Sequence, residues 1–233
     1  MVYVMSDLHG TSPENVKYAL EMLRFSENDY CYVLGDVIDR GSNSVELLLW
    51  LMSRPNIKFI LGNHEGMLLS CDFLFETITD ESIDNLSEDD IGSLSQWQDN
   101  GGDVTIEQLS KIDKKTLSDI LEYIRSAPLY DTVRVNGRDF LLTHSGLGNF
   151  SPDKSLDEYS TYELLWMRPK ITDRYYSDIM TVFGHSPTAL YSSEYKGKVI
   201  YTDTWIDIDI GIRYSKKFAV LCLDDLKAYY FNA

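Results

Sequence analysis

Apolar and polar positions follow two rhythms along this chain. Short apolar runs rich in β-branched and aromatic residues, Val2 to Met5, Tyr30 to Leu34 and Ile57 to Leu61, read as strands. Between them the spacing turns helical. Residues 13 to 25 open on a proline and place Val16, Ala19, Leu20 and Leu23 on one face, and Ser44 to Trp50 forms a second helical stretch. Three strand-to-helix passages in about 65 residues predict β-α-β units and a partly parallel sheet.

The pattern then changes. A mainly helical insertion is expected over about 66–127, with an acidic patch from Asp80 to Asp90 that reads as a solvated face. Inside the insertion, Trp97-Gln-Asp-Asn-Gly-Gly102 is a turn signal beside an aromatic expected at the surface. Leu129 to Val135 and Arg138 to Thr143 are strands joined by Asn136-Gly137, a strong hairpin signal. Ser160 to Met167 reads as a helix stopped by Pro169, and Ile179 to Phe183 as a strand. The remainder, Val199 to Tyr201, Trp205 to Ile210, Phe218 to Leu223 and Ala228 to Phe231, reads as successive β segments. No repeat or linker divides residues 1–233, which are expected to form a single domain.

Composition narrows the function classes. The 37 acidic residues against 21 Lys and Arg give a net charge of −16, which disfavours affinity for nucleic-acid phosphates or anionic membranes. No apolar run approaches a bilayer span and no basic leader precedes the first strand, so a cytoplasmic location is expected. Cys31, Cys71 and Cys222 are odd in number and widely spaced, which suits buried free thiols and not a zinc-thiolate site.

Polar residues gather where the strands stop. The first run delivers Asp7 and His9, the second Asp36 and Asp39, the third Asn63 and His64; in a parallel arrangement these share one sheet edge, where ligands bind. His144 and His185, the other two of four histidines, also follow strands. Asp7, His9, Asp36, Asn63, His144 and His185 offer oxygen and nitrogen donors and no thiolate. Six such side chains are too many for one tetrahedral ion and suit two divalent ions sharing a ligand, with Asp36 the central candidate. Such a pair lowers the pKa of a bound water from 15.7 to roughly 7 and suits in-line attack on a phosphoester. His64, oriented by Asp39, could donate a proton to the leaving group, while Arg40 and Arg168 offer forks for phosphoryl oxygens.

Ser6-Asp-Leu-His-Gly10, Gly35-Asp-Val-Ile-Asp-Arg-Gly41 and Leu61-Gly-Asn-His-Glu65 resemble the three signature motifs of the PPP-type metal-dependent serine/threonine phosphatases. His144-Ser-Gly-Leu147, Trp166-Met-Arg168 and Gly184-His185 are similar to later motifs of the short bacterial and phage branch of these calcineurin-like metallophosphoesterases. Trp97 with Asn100-Gly-Gly102 also resembles a stretch of the bacterial members. The resemblance runs from residue 2 to about 211.

It implies an α/β fold, a central β-sandwich of mixed sheets flanked by helices, with metals at one edge. One ion would sit on Asp7, His9 and Asp36, the other on Asp36, Asn63, His144 and His185. His64 with Asp39 would be the acid pair, and Arg40, Arg168 and Asn63 would meet the phosphate. The ions implied are two divalent metals, manganese first, with iron or zinc admitted by the same donors. Ser6, Leu61 and Ser145 depart from the usual glycine, arginine and alanine, and leave substrate preference open. The substrate implied is a phosphorylated protein, at serine or threonine and also tyrosine, or a small phosphoester, with no nucleic acid, membrane or regulatory subunit. The alternative is a dinucleoside polyphosphate hydrolase, whose symmetrical bacterial type typically has alanine where Asp39 stands. A metal-binding scaffold without activity is the remaining reading.

Overall fold

Two five-stranded sheets pack face to face in the computed structural model, which describes residues 1–75 and 87–233. In the first sheet, β1 (Val2–Met5), β2 (Tyr30–Val33) and β3 (Ile57–Phe59) run parallel, and β9 (Lys217–Cys222) and β10 (Lys227–Asn232) extend it antiparallel beside β1. The second sheet has the order β4-β5-β6-β8-β7. β5 (Arg138–Thr143), β6 (Ile179–Phe183) and β8 (Trp205–Asp207) are parallel, with β4 (Tyr130–Val135) and β7 (Ile200–Tyr201) antiparallel at the edges. Both sheets are therefore mixed.

Strand alternation assigns each side chain to a layer. Val4, Tyr32, Leu34 and Leu221 point between the sheets and meet Phe140, Leu142, Val182 and Ile206. Their neighbours Tyr3, Met5, Cys31 and Val33 face the helices instead. On the far side of the second sheet, Leu141, Phe183 and Trp205 pack under Leu147, Tyr159, Leu164 and Tyr175. Strands buried on both faces read as continuous apolar runs, which is why the alternation is invisible in the sequence.

Helices cover the first sheet. α1 (Pro13–Met22) begins at Ser12, whose side chain accepts the Glu14 N–H, with proline at its first turn; α2 is Ser44–Met52 and α3 Asn63–Ser70. The expected helical insertion contains α4 (Glu88–Asp99), α5 (Asp103–Leu109) and α6 (Lys114–Ser126). Ser87 caps α4 reciprocally with Asp90, and residues 87–89 of the acidic patch are exposed. The part of that patch from Asp80 to residue 86 lies outside the described residues. Two expectations are corrected. Trp97 is fully buried, because the core under α4 needs its indole and its N–H finds an acceptor there. The final segment is not wholly β: β8 stops at Asp207, and Ile212–Ser215 forms a short helix, α8, between left-handed residues Gly211 and Lys216. α7 is Thr161–Leu165, and among the described residues no helix is long and apolar enough to cross a membrane.

The register carries the chain past its strands toward one place. Met5 pairs with Val33, and beyond them the loops continue to zip: Asp7 N–H to Gly35 C=O at 3.1 Å, His9 N–H to Asp36 C=O at 2.9 Å, Gly10 N–H to Val37 C=O at 2.7 Å. The second sheet does the same, with Gly184 N–H bonded to His144 C=O at 2.8 Å.

Candidate metal and phosphate site

The carboxyl ends of both parallel triplets meet at one cleft. Asp7, His9, Asp36, Arg40, Asn63, His64, Arg168 and His185 line a cavity of about 230 Å³, with Asp39 and His144 buried behind it. The two sheets are linked there. His185 N–H donates to Asp7 Oδ2 at 2.9 Å, and His144 Nδ1–H to the Leu34 carbonyl at 2.7 Å.

The backbone at the site is unusual for L-residues. Asp7 (φ 53°), His9 (41°), Asp36 (53°), Asp39 (71°), Arg40 (67°) and His185 (65°) all lie in the left-handed region. Each such residue costs about 1 kcal/mol or more, which the packed layers beneath offset: one fully buried Val or Leu contributes about 1.5–3 kcal/mol. Gly62 lets these loops close on one another, because a Cβ there would strike the Asp36 amide and the Asp36 and Glu65 carboxylates.

Hydrogen bonds set which ring nitrogens point inward. His9 Nδ1–H donates to the Ile38 carbonyl at 3.1 Å, as His144 Nδ1–H does to Leu34, so both Nε2 atoms present lone pairs. His144 Nε2 faces Asn63 Oδ1 at 2.9 Å, His185 Nδ1 at 3.2 Å and Asp36 Oδ1 at 3.4 Å. Acceptors converge there with few protons between them. Among the described residues, His185 Nε2 is buried without a partner. Two groups able to hold an ion share Asp36: His9, Asp36 and His64, and Asp36, His144 and His185. The first contains His64 where Asp7 was expected.

Charge completes the fit. Burial holds all four imidazoles below their usual range, and burial with the Asp7 and Glu65 carboxylates nearby pushes Asp36 well above its own. Neutral imidazoles and crowded carboxylates are the state a divalent cation favours. The donors suit such ions on their chemistry, oxygen and nitrogen without sulfur.

His64 and Arg40 are held from outside the cleft. His64 Nδ1 lies 2.5 Å from Asp39 Oδ2, which also accepts the Trp97 indole N–H at 2.8 Å. Burial pushes Asp39 up to about 7, against the hydrogen bonds of Thr105 and Trp97. Arg40 is gripped by the turn after α4: its N–H donates to Gly101 C=O at 3.1 Å and its Nε–H to Asn100 C=O at 3.2 Å. Its Nη1 and Nη2 then donate to His9 Nε2 at 2.8 Å and His64 Nε2 at 2.9 Å. Arg168 stands opposite, one Nη1 donating to the His185 carbonyl at 2.9 Å.

Several contributors escaped the sequence reading. The Glu65 carboxylate, fully buried, accepts N–H groups of Asp36, Val37, Ile38 and Gly62 and so shapes the loop that carries Asp36. Ser44 and Thr105 hydroxyls each accept the Asp39 N–H at 3.0 Å. Asp209 lines the cleft and takes the Gly211 N–H at 2.8 Å. Glu65 stands inside a quoted motif, but nothing in local spacing says that it folds back under residues 36–38.

Among known proteins, the chain is 33% identical over 99 residues to a symmetrical bis(5'-nucleosyl)-tetraphosphatase of Buchnera aphidicola subsp. Baizongia pistaciae, covering 41% of this chain and 35% of that protein. It is 26% identical over 187 residues to serine/threonine-protein phosphatase 2 of Salmonella typhimurium, covering 78% and 75%. The chain matches less than half the length of the tetraphosphatases. The crystal structure of a proposed diadenosine tetraphosphatase superposes with a TM-score of 0.67 at 16% identity, over 100% of this chain and 93% of that one, a likeness of fold. The family model of the calcineurin-like phosphoesterases matches residues 1–210, a span that holds every cleft residue predicted from the sequence, and the chain belongs to that family.

Proposed function

We propose that this protein hydrolyses phosphomonoesters with two divalent ions, manganese first, and that phosphorylated serine or threonine in proteins is the substrate class, with phosphotyrosine admitted. The observation that carries the reading is the buried His64–Asp39 pair, at 2.5 Å, beside the cleft. An alkoxide is a poor leaving group and needs a proton as the P–O bond breaks; a nucleoside phosphate leaves as a stable anion and needs much less help. A built acid pair therefore supports a monoester.

Asp7, His9 and Asp36 would hold one ion, and Asp36, Asn63, His144 and His185 the other. When bound, the pair supplies Lewis-acid polarisation of the phosphoryl group and an activated water. The chain's own residues supply the rest. Arg40 presents two Nη donors that here occupy the imidazoles of His9 and His64. Phosphoryl oxygens would take over those donors, aided by Arg168, and free His64 Nε2. The Arg40 charge helps hold His64 below its usual range, so a phosphate dianion on Arg40 would let Nε2 take up the proton it then gives to the leaving oxygen. Asp39, fixed by Trp97, Ser44 and Thr105, would stabilise that imidazolium.

A second reading, a symmetrical dinucleoside tetraphosphatase, is favoured by the curated relatives at about 30% identity and by the fold likeness. One assay separates the two. Chelator-stripped protein is given manganese and either p-nitrophenyl phosphate or diadenosine tetraphosphate. Manganese-dependent monoester turnover, lost in Asp36→Asn and only reduced in His64→Asn because p-nitrophenolate needs little help from an acid, is expected. Rapid dinucleotide cleavage with little monoester activity would replace the first reading by the second, and no turnover of either would leave a metal-binding scaffold.

A further inference from the structure

A second cavity, about 340 Å³, adjoins the cleft and shares His9, Arg40, Ile212 and Arg213 with it. Its remaining walls include Thr11, Ser12, Asn43 and Lys216, and among the described residues no Asp or Glu side chain lines it, in a chain with 37 acidic residues.

Arg213 and Lys216 stand on and just after α8. That turn is pinned at both ends: Gly211 N–H donates to Asp209 Oδ1 at 2.8 Å, and Lys216 N–H to Ile212 C=O at 2.9 Å. Both cations are exposed, and neither has a carboxylate partner among the described residues. With Arg40 between the two cavities, three cationic side chains line this groove in a molecule of net charge −16. A local positive groove on an acidic surface concentrates a compact anion and repels an extended acidic one, because the favourable potential ends at the groove's edge.

We propose that Arg213 and Lys216 form a second anion subsite, continuous with the cleft, that holds a second phosphate group of the same substrate. The inference rests on the phosphoester-hydrolase reading and narrows its substrates to molecules with two or more phosphates close together. A phosphoanhydride chain and a doubly phosphorylated peptide both present that chemistry. The subsite acts on binding, so its removal raises KM and leaves the chemical step alone.

The test compares manganese-loaded wild type with Arg213→Gln/Lys216→Gln on four substrates: p-nitrophenyl phosphate, diadenosine tetraphosphate, a doubly phosphorylated serine peptide and its singly phosphorylated counterpart. The double variant is expected to raise KM about tenfold for one of the two multiply phosphorylated substrates, the loss typical of a charge-assisted contact, with monophosphate kcat/KM within about twofold. Which substrate responds identifies the source of the second phosphate. An equal change for all four, or none, overturns the subsite. Calorimetric titration with inorganic tripolyphosphate and orthophosphate is independent of turnover. Preference for tripolyphosphate, lost in the double variant, supports the subsite even in a protein that hydrolyses nothing; equal binding by both proteins overturns it.

Discussion

Glu65→Gln tests whether the loop carrying Asp36 is built on a carboxylate. Glu65 Oε2 accepts the Asp36 N–H at 2.9 Å and the Gly62 N–H at 3.2 Å, while Oε1 accepts Val37 at 2.8 Å and Ile38 at 3.2 Å. Glutamine keeps one oxygen and turns an NH₂ group onto the other two donors. Whichever way the amide sits, two buried N–H groups lose their acceptor. At about 1–3 kcal/mol each, the loss is about 2–6 kcal/mol, a large share of a typical stability of about 5–15 kcal/mol. Burial pushes Glu65 up to about 7, so the comparison belongs at pH 8, where the carboxylate is the native species. Urea unfolding of both proteins, at equal metal concentration, reads the difference as a shift in midpoint at constant slope. A loss below about 1 kcal/mol with metal affinity intact would refute the reasoning, since the amide would then be an adequate substitute for the four-fold acceptor.

Asp39→Asn should cost activity in proportion to the basicity of the leaving group: about 10²-fold in kcat/KM for an alkyl phosphate and clearly less for p-nitrophenyl phosphate, whose phenolate leaves unaided. Equal losses on both would remove the acid pair from the mechanism. Arg40 has a φ of 67°, so Arg40→Gly should be more stable than Arg40→Ala by about 1 kcal/mol, measured by thermal unfolding, with both inactive. Cys31, Cys71 and Cys222 are free and buried, and burial pushes each thiol up, so a thiol reagent at neutral pH should label native protein only as fast as it opens. Rapid labelling of any one would contradict that packing. Chelation should lower the unfolding free energy by about 2.7 kcal/mol for each ion held at a hundredfold excess over its Kd, read as a lower midpoint, and an unchanged midpoint would argue against structural use of the donor set.

Much of this molecule is legible in local order. Strands and helices obey short-range periodicity, and the polar residues that end each strand must share an edge once β1, β2 and β3 run parallel, so Asp7, His9, Asp36, Asn63 and His64 come together by topology alone. Asn136-Gly137 could be placed for the same reason: its two left-handed residues, at φ 50° and 81°, make a turn that the dipeptide encodes locally. Tertiary structure decided what spacing does not encode. Trp97 reads as a surface aromatic because its partner, Asp39, lies 58 positions away, and only the packing of α4 against α3 brings the indole N–H to that carboxylate. Glu65 folds back to hold residues 36–38, Arg213 and Lys216 line the neighbouring cavity from a turn between two segments read as β, and left-handed backbone at Asp7, Asp36 and Asp39 persists because the surrounding layers hold it. Periodicity reports which face a residue occupies along its own segment; which distant group meets it there depends on how the segments close.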